Sequence, residues 1–177
     1  MVKVLDDERL HAFIGGHPAD FPDLHRRYGR LVAGSGDPGQ IWLNWIVRRT
    51  ADHQPIGTVQ ATLTRPDNDR TGHDRTGHDW TAAIAWVIGV PWQAQGFAVE
   101  AARALIGWLH DQGANVITAT IHPDHHASAK VATRAGLTAT TEEINGERVW
   151  RSAHVVCPAV AVDDAEAEVV GEGLPAG

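Results

Sequence analysis

The chain has little cysteine and no long apolar segment. Its 177 residues include one cysteine, Cys157, so no internal disulfide can form, which fits a reducing compartment. No apolar run reaches the roughly 18 residues that a membrane-spanning helix needs. Charge also begins early, at Asp6, Asp7 and Glu8, which is unlike a secretory signal peptide. These absences predict a cytoplasmic protein without a membrane partner.

Basic residues are missing from the C-terminal end of the chain. No Lys or Arg follows Arg151, whereas five acidic residues do: Asp163, Asp164, Glu166, Glu168 and Glu172. The tail therefore holds much of the net charge of −7, and the body of the chain is close to neutral. A near-neutral body lacks the basic surface typical of nucleic-acid-binding proteins, so no nucleic-acid partner is predicted. We predict one domain over 1–156 and an acidic, disordered tail over 157–177.

One local cluster of basic residues stands out against this background. It consists of His25, Arg26, Arg27 and Arg30. The cluster falls within residues 20–32, whose apolar side chains recur with helical spacing. Because charge runs of this kind are usually in contact with water, we interpret the cluster as the solvated face of a helix.

The apolar periodicity predicts an α/β domain. Helices are predicted over 5–14, 20–32, 98–112 and 125–135, the last with Asp124 as its N-cap. Alternating residues predict strands over 41–48, 56–63, 116–121, 137–143 and 148–152. Residues 80–89 are mostly apolar and predict a strand buried on both faces. Asn145-Gly146 predicts a hairpin turn between the last two strands.

A polar loop over 66–80 contains a tandem pentapeptide, with residues 69–73 repeated at 74–78. Two copies of five residues are too short for a solenoid. We interpret them as a duplicated insertion in a surface loop, since loop length costs little entropy. A metal site at His73 and His78 is the weaker alternative.

The stretch over 82–137 is the most informative part of the chain. It has the pattern strand, loop, helix, strand, turn, helix, and its first loop reads Trp92-Gln93-Ala94-Gln95-Gly96-Phe97-Ala98. A loop of small residues that opens a helix leaves several backbone N–H groups without helical partners. Those donors and the positive end of the helix dipole favour a phosphate group. The sequence therefore predicts a phosphate-binding loop.

A second segment lies on the following strand, turn and helix. It reads Pro123-Asp124-His125-His126-Ala127-Ser128-Ala129-Lys130-Val131, followed by Arg134-Ala135-Gly136-Leu137. The spacing Gln93-x-x-Gly96-x-Ala98 resembles the pyrophosphate loop of the GNAT N-acetyltransferases, and the second segment resembles that family's P-x-N-x-x-S-x-x-V-x-x-K-x-G-F pattern. Within the family the chain looks most like the ribosomal-protein-alanine and small-molecule acetyltransferase branch.

The resemblance implies the GNAT fold, a mixed central sheet flanked by helices. The family usually opens with a strand, and since only residues 2–4 precede the first predicted helix, that strand is expected to be short or missing. The resemblance also implies two parallel neighbouring strands that splay at a bulge near Ile88. A homodimer is compatible with it.

The resemblance further implies a site for acetyl-CoA as co-substrate. Backbone groups of Trp86, Val87 and Ile88 would hold the pantetheine arm. The pyrophosphate would be held by N–H groups of the loop: Gln93, Ala94, Gln95, Gly96, Phe97 and Ala98. His125 replaces the family's usual Asn and would hydrogen-bond the pantetheine or the sulfur. Ser128 would donate a proton to the thiol or position it; the alternative is a serine that satisfies its own helix.

Two departures limit the implied mechanism. Ala132 stands where many relatives have a tyrosine general acid, and Ala83 stands where many have a glutamate. The amine proton would then go to a water chain, a backbone carbonyl, Asp79 or a histidine. The predicted function is acetyl transfer to a primary amine, on a protein N-terminus or a small molecule. The alternative is a catalytically weak acyl-CoA-binding sensor or partner subunit.

Two further predictions concern substrate and metal. Trp42 and Asn44 share a strand face and are predicted to line the acceptor cleft, with reduced acceptor affinity expected in Trp42→Ala. The histidines His122, His125 and His126 are not predicted to bind a metal, because no cysteine accompanies them and they lie in a strand-to-helix turn.

Overall fold

The computed structural model describes residues 1–14, 16, 18, 20–65 and 80–152. Within these residues six strands form one sheet in the order β1-β2-β3-β4-β6-β5. They are β1 (Gln40–Arg48), β2 (Pro55–Thr64), β3 (Trp80–Ile88), β4 (Ala114–Ile121), β5 (Leu137–Ile144) and β6 (Glu147–Ser152). The pair β3 and β4 is parallel and the other neighbours are antiparallel. The predicted mixed sheet is confirmed.

Helices flank this sheet. They are α1 (Val2–Leu5), α2 (Glu8–Ile14), α3 (Phe21–Ala33), α4 (Phe97–Asp111) and α5 (His126–Ala135). Asp20 caps α3 by accepting a 2.8 Å hydrogen bond from the Asp23 N–H. The left-handed Gly136 ends α5, at φ 96°. The helices predicted over 20–32 and 125–135 are confirmed to within one residue at each end.

The N-terminal prediction needs correction. The helix predicted over 5–14 is divided, because the Asp7 carboxylate binds both the backbone N–H and the guanidinium of Arg9 and so starts a new helix. Val2–Leu5 is itself one helical turn, so the short N-terminal segment forms no strand. Among the described residues, the sheet therefore begins with β1.

Two other predictions are wrong in detail. The N-cap of α5 is His125 rather than Asp124, since the turn that His125 closes onto the His122 carbonyl shifts the helix start by one residue. Strand β3 is buried on one face only: Ala82 and Ile84 are buried, whereas Ala83 and Ala85 are exposed. Helix α4 covers the first face, and the second opens onto a cleft.

The core lies between the sheet and helices α4 and α5. Helix α4 contributes a buried stripe at helical spacing: Ala102, Leu105, Ile106 and Leu109. The stripe packs against the buried face of the sheet, where Leu109 and Ile117 are fully buried. Because α4 is anchored along this stripe, its N-terminus has a fixed position at the end of β3.

The parallel strands β3 and β4 separate soon after they meet. They are paired only from Trp80 to Ala83, and the register irregularity lies between Trp80 and Thr81 rather than near Ile88. Beyond Thr118, β4 pairs with β6 on its other side. Residues 84–88 therefore have no strand neighbour on the β4 side, and a gap opens toward the carboxyl ends of the two strands.

Gly57 marks a close approach between β2 and β3. A Cβ at this position would clash with the Val87 carbonyl oxygen and lie 2.7 Å from Ile88 Cδ1. We expect Gly57→Ala to destabilise the fold by about 1–3 kcal/mol through overpacking, which lowers Tm by about 2–4 °C for each kcal/mol. Thermal unfolding followed by circular dichroism would measure it.

The matched control is Gly29→Ala in α3, where an added Cβ meets no atom within 4 Å. Here we expect a gain of about 0.5–1 kcal/mol, because alanine is the better helix former. Equal effects of the two substitutions on Tm would contradict the packing argument.

Three sequence predictions fall outside the described residues. They are the tandem pentapeptide, the domain boundary at residue 156 and the tail over 157–177. Within the described part of the chain, no helix has the length and apolar character needed to cross a bilayer.

Candidate active site

A cleft of about 710 Å³ opens where β3 and β4 separate. Its floor is the exposed face of the sheet, including Thr58, Gln60, Ala85 and Val87. Helices α2 and α3 form one wall, and the end of β4 with the start of α5 forms the other. The cleft is therefore a consequence of the splayed strands, since a continuous sheet would fill the gap.

The loop at the start of α4 has the geometry of an anion site. Gly96 is its N-cap in the left-handed conformation, at φ 91°, and Ala94 is left-handed too, at φ 59°. The first helical bond runs from the Glu100 N–H to the Gly96 carbonyl at 3.1 Å, so the preceding N–H groups at Phe97 and Ala98 have no helical partner. A Cβ built on Gly96 meets nothing within 4 Å, so the space in front of the helix is open.

Two glutamine side chains brace this loop. The Gln93 amide donates to the Ile88 carbonyl at 2.9 Å, and the Gln95 amide donates to the Pro91 carbonyl at 3.1 Å. Both bonds tie the loop back to the end of β3 and to the 3₁₀ turn Val90–Trp92. The side chains of Gln93 and Gln95 thus fix the loop. The Gln93 N–H donates to the Val90 carbonyl at 3.2 Å, so this one of the predicted phosphate donors is not available.

The direction of the β3 backbone decides which groups face the gap. The Gly89 N–H donates to the Ile56 carbonyl at 2.8 Å, across to β2. Because backbone groups alternate along a strand, those of Val87 also point to β2, and those of Trp86 and Ile88 point into the gap. The Ile88 carbonyl already accepts from Gln93. Val87 lines the cleft with its side chain.

The start of α5 brings His125 and Ser128 to the cleft. Both are half-buried and line it. The Phe13 ring of α2 stacks on the His125 ring, with centroids 4.2 Å apart and planes 15° apart. Burial, followed by the nearby His122, lowers the pKa of His125. His125 is consequently neutral at pH 7 and has a lone pair to accept a proton.

His122 differs from its neighbour in what it can do. Its Nδ1 accepts a 3.2 Å hydrogen bond from the Asp124 N–H, which leaves Nε2 to carry the proton of the neutral ring. The rings of His122 and His125 both line the cleft. Among the described residues, no group of three or more His, Cys, Asp or Glu side chains could hold a metal ion.

Ser128 is the third residue of α5, and its hydroxyl makes no hydrogen bond to the part of the chain that the structure describes. The alternative in which it satisfies its own helix has no support, because the start of α5 has no side-chain cap bond. The hydroxyl is therefore available to a ligand.

The basic cluster on α3 lies at the cleft. Arg26, Arg27 and Arg30 line it, together with Asp23, whereas His25 stacks on Phe21 away from it, with ring centroids 6.1 Å apart. The predicted solvated face is confirmed, since all four residues are exposed, and three of them also border the cleft. The spacing i, i+3, i+4, i+7 of residues 23, 26, 27 and 30 was the signal for one common face.

The family follows from a direct match. A family model described as "Acetyltransferase (GNAT) domain" matches residues 1–138. The chain belongs to the GNAT family. It is therefore an acetyltransferase by family. Its cleft lies where β3 and β4 separate. No curated protein matches the sequence.

Solved structures with the GNAT fold agree with this assignment. AAC(6')-Ib in complex with ribostamycin and coenzyme A is 15% identical, with 92% of this chain and 90% of that chain covered and a TM-score of 0.65. An acetyltransferase (GNAT family) from Bacillus anthracis is 18% identical, with coverages of 85% and 82% and a TM-score of 0.58. Spermidine N-acetyltransferase from Vibrio cholerae, in complex with CoA and spermine, is 14% identical, with coverages of 85% and 84% and a TM-score of 0.58. At these identities the likeness shows a shared fold.

Several positions in this GNAT chain differ from the sequence expectations. Ala132 is fully buried in the core. Trp42 and Asn44 lie on the same sheet face as Gln60 but do not line the cleft, and Trp42 donates to the Gln40 side chain at 2.7 Å. Asp79 lies outside the described residues. Sequence reasoning missed Phe13 as a cleft residue, because no local pattern relates α2 to α5.

Proposed function

We propose that this protein is an acetyl-CoA-dependent N-acetyltransferase that acts on a primary amine by direct attack on the thioester. The observation that carries the proposal is that the unpaired edge of β3, His125 and Ser128 border one opening between two strands, and that the loop with anion-site geometry follows the end of β3 directly along the chain. Similar proteins hold CoA together with ribostamycin or spermine. We infer that this chain places its two substrates in the same relation.

The residues fit the co-substrate along its length. Backbone N–H groups from Gly96 to Ala98 would hold the pyrophosphate, assisted by the helix dipole. Trp86, through its gap-facing backbone groups, would pair with the pantetheine arm as a neighbouring strand does. The side chains of Gln93 and Gln95 would hold the loop in this conformation through their hydrogen bonds to the Ile88 and Pro91 carbonyls.

His125 accepts the amine proton in this mechanism. Its ring lies in the cleft one helical turn before Ser128, and neither Ala83 nor Ala132 offers an acid or base. The new N–C bond forms as the C–S bond breaks. The proton lost by the amine goes to His125. From His125 it passes through the Ser128 hydroxyl, which hydrogen-bonds the departing thiolate, to the sulfur, so that both side chains return to their starting state.

Removing the ring that covers His125 should change the pH dependence. In Phe13→Ala, His125 becomes more exposed, and its lowered pKa rises toward the ordinary value of about 6.5. His125 accepts a proton only when neutral, so activity falls as pH drops through its pKa. We expect this fall to begin at a higher pH in the variant than in the wild type, measured as kcat/KM against pH.

A matched control for this pH experiment is Phe21→Ala, since Phe21 stacks on the exposed His25 outside the cleft. The control should leave the pH profile unchanged. An acid limb in Phe13→Ala at the wild-type position would contradict the role of Phe13.

Thiol release from acetyl-CoA across a panel of primary amines tests the proposed function. A protein-only blank accounts for the thiol of Cys157. Amine-dependent release with a matching acetylated product would support the enzyme. Binding of acetyl-CoA without release on any amine would favour the sensor or partner-subunit alternative, and no binding of acetyl-CoA would overturn both.

We also propose a cytoplasmic location, on the basis of the single cysteine, and a homodimer. Cell fractionation and light scattering of the purified protein would test them. A mass equal to one chain of 19.1 kDa would overturn the dimer.

A further inference from the structure

The cleft wall formed by α3 is lined by guanidinium groups. Arg26, Arg27 and Arg30 share one face of this helix with Asp23. Asp23 forms an ion pair with Arg26. Among the described residues, no carboxylate forms an ion pair with Arg27 or Arg30. Two exposed guanidinium groups therefore face the cleft without a protein counter-ion in this part of the chain.

The other charged groups of the cleft lie elsewhere. Glu147, at the start of β6, is the remaining carboxylate lining it, and the histidines His11, His122 and His125 complete the titratable set. Among the described residues, Glu147 forms no ion pair with Arg26, Arg27 or Arg30.

The cleft thus holds three arginines of α3 together with His125 and Ser128, and two of these arginines have no carboxylate partner among the described residues. A polyamine would meet repulsion from these arginines. A carboxylate matches the planar fork of a guanidinium and forms charge-assisted hydrogen bonds to it. An amine that also carries a carboxylate would supply the counter-ion that Arg27 and Arg30 lack.

Resting on the proposed function, we infer that the acceptor is a primary amine bearing a carboxylate, as in an amino acid, with Arg27 and Arg30 binding the carboxylate. Its amine group faces His125, which takes its proton. This substrate class differs from the cationic ligands of the similar proteins, ribostamycin and spermine.

The test uses pairs of acceptors that differ only by the carboxylate: alanine with ethylamine, phenylalanine with phenethylamine, and lysine with cadaverine. The readout is kcat/KM for thiol release, in the wild type and in the double variant Arg27→Gln/Arg30→Gln. We expect the wild type to prefer the carboxylate member, and the double variant to lose about 10- to 100-fold of that preference through KM. A carboxylate also lowers the pKa of a neighbouring amine, which changes the preference in every protein. The test is therefore the difference in carboxylate preference between the wild type and the double variant.

The surface control is Arg134→Gln, which removes one positive charge from the exposed last turn of α5, outside the cleft. It matches each of the single variants Arg27→Gln and Arg30→Gln. Its preference should equal that of the wild type. A charge reversal, Arg30→Glu, should raise kcat/KM for cadaverine relative to lysine.

Each outcome separates the inference from the proposed function. Turnover of amines with the same carboxylate preference in wild type and double variant overturns the inference alone. A stronger preference for O-phosphoethanolamine over the amino acids overturns the carboxylate assignment. If no amine is acetylated, the affinity of each acceptor for the CoA-bound protein is measured by calorimetry instead of turnover. Equal affinities for the two members of each pair would overturn the inference.

Discussion

Replacement of His125 by asparagine is expected to lower kcat/KM for acetyl transfer by about 10²- to 10⁴-fold, the usual contribution of a general base. Asparagine is the residue that the family usually has here, so the variant keeps a side chain that can hydrogen-bond the pantetheine. It removes only a group that can take a proton at neutral pH. Acetyl-CoA affinity should therefore stay close to the wild-type value, which titration calorimetry would measure.

The pH profile gives a second readout for the same variant. The wild-type kcat/KM should show an acid limb below about 6.5, because burial lowers the pKa of His125. That limb should disappear in His125→Asn. The control is His126→Asn, whose exposed ring does not line the cleft, and it should behave as the wild type. Full activity in His125→Asn would assign His125 to co-substrate binding alone.

Gly96→Glu is expected to weaken acetyl-CoA binding by about 100-fold or more. The left-handed backbone at φ 91° disfavours any L side chain, and a carboxylate in front of the helix repels the pyrophosphate. Loss of the charge-assisted hydrogen bonds to the pyrophosphate, each worth about 1.5–3 kcal/mol, also weakens acetyl-CoA binding. Calorimetric titration of acetyl-CoA into wild type and variant would measure the change.

Two variants separate charge from conformation at this loop. Gly96→Asn adds no charge, and asparagine tolerates the left-handed region better than most residues, so it should weaken binding less. Gly107→Glu adds the same charge in the exposed middle of α4, where a Cβ meets nothing within 4 Å, and should leave the affinity unchanged. Unaltered binding in Gly96→Glu would place the pyrophosphate elsewhere.

Local patterns in the sequence identified most of the secondary structure. Helical spacing predicted α3 and α4, alternation predicted β1 and β2, and Asn145-Gly146 predicted the last hairpin, whose residues have φ of 53° and 82°. Each of these depends on residues close together in the chain. The division of the first helix escaped prediction because it depends on one side-chain interaction, between Asp7 and Arg9.

The candidate site was predictable only in part, for the same reason. The loop at Gly96 and the position of Ser128 were visible because each lies on a motif of a few residues. The contact of Phe13 with His125 was not visible, since it joins α2 to α5 across more than a hundred residues. The arginine face of α3 had a visible spacing, but its direction toward the cleft depends on how α3 packs over β1.

By itself, the sequence determined that this chain is an α/β domain with a glycine-containing loop at the start of a helix, because glycine conformation, helix caps and apolar spacing act locally. The tertiary structure alone decided where β3 and β4 separate, which backbone groups of β3 face the gap and which charges line the cleft. Those properties depend on strand register and helix packing. Both are set by burial of side chains that are distant in the chain, such as Val59, Leu105 and Leu137, which belong to one buried cluster.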